Sequence, residues 1–181
     1  MKTRKLLFTL VATMTMVFGL TLTAHAEEAA PATKVVGVEG IGTFTVPADW
    51  TEEYIEGYGT YWFNPTKTAC VAMSTTGSFA EQLAPIDVYA AIEKTNLEEF
   101  GCNALQWNVT KFFGHDSIDY IMAETGNTQS PVNYPVMTTA NFSCGHEYYS
   151  GNSIMDAGCM AVTIEELQTI LPVLATYKPV Q

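Results

Sequence analysis

The chain has 181 residues, of which nineteen are acidic and eight basic, for a formal net charge of −11. That balance excludes nucleic acid and anionic membrane surfaces as partners, because both are held by clustered Lys and Arg. With 48% hydrophobic residues, the chain has enough apolar material for one domain with a real core.

Lys2, Arg4 and Lys5 precede an uncharged run from Leu6 to Ala24, which ends in Ala24-His25-Ala26 before Glu27. A basic start, an apolar middle and a small-x-small site read as a secretory signal peptide over 1–26 rather than a membrane anchor. The expected product is an exported protein, periplasmic or extracellular, with a mobile tail over 27–34 and a single domain over 35–181. Past residue 26 there is no arginine, and five lysines face nineteen acids, a net charge of about −14.

Cys70, Cys102, Cys144 and Cys159 all lie in this exported part, and none forms a Cys-x-x-Cys pair. Two disulfides are the expectation, with three pairings open. Counting strand directions favours Cys102 with Cys159, which leaves Cys70 with Cys144.

Order is expected from Val35 or Val36. Phe44 to Pro47 reads as a strand ended by its proline, with Trp50 folding back over the core. Tyr58 to Phe63 and Ala69 to Thr75 form a hairpin around Asn64-Pro65-Thr66-Lys67. A helix opens at Pro85 or Asp87, runs to Phe100 and stops at Gly101, with Val88, Ala91, Ile92 and Thr95 as its apolar stripe.

A four-strand meander follows. In its first strand Leu105, Trp107, Val109 and Phe113 share a face. The return strand carries Ile118, Tyr120 and Met122. After a polar loop from Gly126 to Asn133, Val136, Thr138, Ala140 and Phe142 alternate, and the last strand starts near Glu147. Turns are placed at Gly114-His115-Asp116 and Gly145-His146-Glu147. Thr163 and Glu166 then form a capping box for a terminal helix bearing Ile164, Leu167, Ile170, Leu171 and Leu174, with Pro172 disturbing its course. The fold class is α+β, an antiparallel sheet packed by two helices.

Phe44-x-Val46-Pro47-x-x-Trp50 at the start and Glu166-Leu167-x-x-Ile170-Leu171-Pro172 at the end, set in this order of elements, resemble the PsbP-like fold of small exported and lumenal proteins. The resemblance covers nearly all of the chain past the signal. It implies a non-catalytic accessory or interaction protein attached to an envelope or membrane machine, and the fold brings no common active site with it.

Two constellations carry chemistry. His115, Asp116, His146 and Glu147 place imidazole and carboxylate groups at two expected hairpin tips, a donor set that suits a divalent transition metal. Tyr58, Trp62, Tyr148 and Tyr149 offer an aromatic partner surface. There is no Gly-x-Ser-x-Gly elbow, phosphate-binding glycine loop or His-Glu-x-x-His helix. The reading is therefore a binding or accessory protein with a protein partner and no cofactor. A metal-binding protein and a small enzyme with an unrecognised site are the alternatives.

Overall fold

The computed structural model describes residues 31–77, 83–99, 101–124 and 142–180. The expected signal peptide, Phe100, the polar loop at 126–133 and Val136, Thr138 and Ala140 lie outside the described residues. In chain order the elements are β1 (Thr33–Val38), β2 (Gly42–Pro47), β3 (Thr51–Ile55), β4 (Gly59–Phe63), β5 (Ala69–Gly77), α1 (Ile86–Glu99), β6 (Cys102–Phe112), β7 (His115–Glu124), β8 (Phe142–Ser150), β9 (Ser153–Ala161), α2 (Ile164–Leu174) and β10 (Lys178–Pro179). The α+β class is as expected. β1 begins at Thr33, so Thr33 and Lys34 belong to the sheet and not to the tail.

The strands form two sheets, β1-β2-β10 and β3-β4-β5-β9-β8-β7-β6. The meander β6 to β9 is antiparallel throughout. The early hairpin extends it, because β5 pairs with β9 in register from Ala69↔Ala161 to Gly77↔Ser153. Successive residues of a strand point to opposite faces, so this register sorts the side chains into two sets.

One face carries Trp62, Val71, Cys144, Cys159 and Tyr148, all buried. The elements covering it are the small sheet and the C-terminal segment. Phe44 meets Trp62 edge-on with ring centres 6.2 Å apart, and Tyr177 packs on both Phe44 and Phe112. Leu167, Ile170 and Leu174 form the buried stripe of α2, and the Thr163–Glu166 capping box is present as expected. The helix runs two residues past Pro172. A buried hydroxyl pair ties the layers together: the Tyr148 and Tyr177 oxygens are 2.6 Å apart, and Tyr177 donates to the Ile41 carbonyl at 3.0 Å. Such bonds satisfy groups that would be costly to bury alone.

The other face carries α1, so the two helices pack on opposite sides of the large sheet. Trp107 donates its indole N–H to the Ala90 carbonyl at 3.1 Å, and Tyr89 reaches Glu147 on β8. This fixes a different helix face from the expected stripe: Ala90 is the buried residue of α1, while Val88 and Ile92 are 46% and 55% exposed. The terminus is as read, with Gly101 at φ 88 past the last turn, a conformation that costs glycine nothing. In β6 the expected apolar row breaks up. The register shifts between Ala104 and Gln106, Val109 is exposed, and Phe113 is a turn residue at φ 49 followed by Gly114 at φ 89.

Candidate ligand recess

The face under α1 holds a recess of about 70 Å³ whose lining includes Tyr58, Tyr61, Tyr120, Met122, Asp156 and Met160. Register builds it. Tyr120, Gly145, Gly158, Ala72 and Tyr61 form one row across β7, β8, β9, β5 and β4. The two glycines are directly opposed in mid-strand, where glycine weakens a strand and marks a close approach. Here the approaching group is Tyr120: a Cβ at Gly145 or Gly158 would fall 2.8 or 2.7 Å from its hydroxyl. With both positions bare, Tyr120 donates to Asp156 Oδ1 at 3.0 Å.

The neighbouring row pairs Ile118 with Glu147, Glu147 with Asp156, and Asp156 with Ser74. Glu147 and Asp156 are thus directly opposite on one face of an antiparallel pair, an arrangement that is destabilising for like charges. Both carboxyls are pushed up, mainly by burial. Glu147 rises to about 8, with the Asp156 and Glu93 charges adding to burial and the Tyr89 hydrogen bond opposing it. Asp156 rises to about 6, with the Tyr120 hydrogen bond and His146 opposing. Glu93 on α1 is also raised by burial. Tyr89 donates to Glu147 Oε2 at 3.4 Å. Among the described residues no salt bridge reaches Glu147 or Asp156, since the lysine pairs are Lys67–Glu53, Lys94–Glu98 and Lys111–Asp116. Burial thus holds both carboxyls above the ordinary carboxylate range, Glu147 the more strongly because the Asp156 charge adds to it.

The sequence marks Glu147 for a metal tip and Tyr61 only as one of many aromatics, and it gives Tyr120 and Asp156 no site role. The signal was present in Asp156, a lone acid among the apolar residues of β9, and in two glycines inside strand patterns.

The expected metal tips do not form. His115 follows the tip at Gly114, but Gly145, His146 and Glu147 lie inside β8, and its hairpin turns at Gly151-Asn152. His146 and Glu147 point to opposite faces. His146 Nδ1 is 2.8 Å from Asp119 Oδ1 and its ring stacks on Phe112 at 4.0 Å, whereas His115 lies beside Tyr148 and Asp116 pairs with Lys111. Among the described residues no group of three or more His, Cys, Asp and Glu is placed to hold a metal.

The expected aromatic surface dissolves too. Trp62 and Tyr148 are core residues, with the Trp62 indole donating to Glu52 at 2.7 Å. Tyr149 lies against Tyr89 and donates to the Ala84 carbonyl. Tyr58 keeps an exposed edge and belongs to the recess.

The cysteine pairing is also corrected. Cys144 and Cys159 are register partners. β7 and β8 lie between Cys102 on β6 and Cys159 on β9, and Cys70 pairs with Met160 on the face opposite Cys144. Cys102 and Cys159 do lie toward the same end of the sheet, as the strand directions imply, but two strands separate them, and Cys144, expected at a turn, lies inside β8 beside Cys159.

Among the described residues, a seven-stranded antiparallel sheet with one helix on each face and a small sheet over the core makes a PsbP-like α+β fold. Among solved structures, the chain is similar to cyanobacterial PsbP (CyanoP) from Synechocystis sp. PCC 6803, with a TM-score of 0.58 at 6% identity over 88% of this chain and 99% of that one. It is also similar to the Saccharomyces cerevisiae Ran-binding protein Mog1p, with a TM-score of 0.51 at 9% identity over 82% of this chain and 96% of that one. Likeness at these identities shows the fold alone. No family model matches the chain, and comparison with curated protein sequences gives no match.

Proposed function

We propose that this chain is an exported, non-catalytic binding module, and that the recess at Tyr61, Tyr120 and Asp156 receives a positively charged group of a protein partner. The observation that carries the reading is the Glu147–Asp156 pair. Asp156 lines the recess and faces Glu147 across the strand pair, each accepts from a tyrosine hydroxyl, and no lysine of the described residues reaches them. Buried charge is ordinarily paired, and an ammonium or guanidinium group brought by a partner would neutralise Asp156 and lie beside the tyrosines that line the recess. Export rests on the Lys2-to-Ala26 pattern. No helix of the described residues is long and apolar enough to cross a membrane. The binding reading agrees with a fold shared with a protein named for binding Ran.

The test is an affinity capture from the host's envelope and culture fractions, run side by side with the unaltered protein and an Asp156→Asn, Glu147→Gln double variant. A partner held by the first and lost by the second, with both proteins folded by circular dichroism, supports the reading. Equal capture by both removes the recess from it, and no capture by either overturns the protein-partner reading.

A further inference from the structure

We infer that Cys144 and Cys159 form an intramolecular disulfide that joins β8 to β9 directly behind the recess. The two residues are register partners in an antiparallel pair, which sets their Cα atoms at a separation a disulfide spans. Their sulfurs face each other at 2.8 Å, so closing to a bond of about 2.05 Å asks each to move by less than about 0.5 Å. Both side chains are buried, in a row with Val71 and Trp62. No other two of the four cysteines are register partners in this sheet.

The step balances by thiol–disulfide exchange. A thiolate formed from one cysteine attacks a disulfide-bearing oxidant, either a small molecule or an exchange protein, and releases one reduced thiol. The second cysteine then attacks the mixed disulfide, releasing the other thiol and leaving the Cys144–Cys159 bond. Two protein thiols are oxidised, and the oxidant's disulfide is reduced to two thiols that take up the protons. Burial pushes the Cys159 thiol well up, so in the folded chain it is a poor nucleophile. Both side chains are also buried in the folded chain, so the bond forms while the β8–β9 hairpin is still accessible.

The bond sits back to back with the recess. Gly145 and Gly158, which make room for Tyr120, are the immediate neighbours of Cys144 and Cys159 and point to the opposite face.

The experiment refolds the full chain from denaturant with glutathione disulfide present, alkylates the remaining thiols, and maps peptides without reduction. The expected result is a cross-linked pair of peptides containing Cys144 and Cys159, with an intact mass lower by two hydrogens for that bond. Alkylation of both cysteines, or linkage of either to Cys70 or Cys102, overturns the inference. Folded protein prepared under reductant and only then exposed to glutathione disulfide should oxidise at least tenfold more slowly than the refolding chain. Equal rates would overturn the claim that the bond precedes closure. Both measurements use the unaltered chain, so they do not depend on a cysteine variant folding.

Discussion

Replacing Glu147 by glutamine should stabilise the protein at alkaline pH and leave it nearly unchanged at acid pH. The native Glu147 carboxyl titrates at about 8 against an ordinary 4.5. Below pH 4.5 it is neutral in both the folded and unfolded chain, and no penalty exists. Between 4.5 and 8 the unfolded chain releases a proton that the folded chain still holds, so stability falls as pH rises. Above 8 the full cost is present. At about 1.4 kcal/mol per pH unit, the rise sets a limit of about 5 kcal/mol. Repulsion from Asp156 is one cause of the rise, and the substitution also removes that repulsion from Asp156. Glutamine keeps an oxygen to accept from Tyr89. Glu147→Gln should therefore gain roughly 2 to 5 kcal/mol at pH 9 and under about 0.5 kcal/mol at pH 4.5. Urea unfolding of both proteins across that range reads the difference directly, so the shared self-repulsion of an acidic chain cancels. A difference that does not change with pH, or a loss at pH 9, would refute the argument that burial of this carboxyl against Asp156 governs its titration.

Tyr120→Phe removes the hydroxyl that donates to Asp156 and should cost about 1 to 2 kcal/mol near pH 8, less at pH 5 where Asp156 is protonated. The Asp156 carboxyl signal in a heteronuclear titration should move above its value of about 6, and no movement would mean the bond is not formed in solution. Gly145→Ala puts a Cβ 2.7 Å from the Ala157 carbonyl oxygen and 2.8 Å from the Tyr120 hydroxyl. Backbone must give way there, with a loss of about 1 to 3 kcal/mol or more by thermal unfolding. On the helices the contrast is Leu167, 1% exposed, against Ile92, 55% exposed. Leu167→Ala should cost about 2 to 5 kcal/mol, and Ile92→Gln about 0.5 kcal/mol or less. A large loss at Ile92 would restore the helix face expected from sequence.

Signals that act within a few residues were legible in the sequence. Gly101 ends α1 because only a residue without a Cβ takes φ 88 at no cost. Thr163 and Glu166 start α2 by answering each other's backbone donors. Alternation placed the strands around Trp107 and Ile118, and Gly114 the turn between them. The order of these elements was enough to reach the fold class.

What the tertiary structure alone decided were matters of long-range register. Gly145-His146-Glu147 has turn composition, yet it is strand, because Gly145 is needed bare for a tyrosine arriving from β7. The exposed stripe of α1 is as apolar as a buried one. Trp107 and Glu147, more than ten residues away along the chain, determine that Ala90 and Tyr89 turn inward. Asp156 meets Tyr61 only because β5 pairs with β9. Caps, turns and periodicity are fixed by neighbours in the chain. The recess and the cysteine pair depend on which strand lies beside which, and a shift of one residue would send every side chain to the other face.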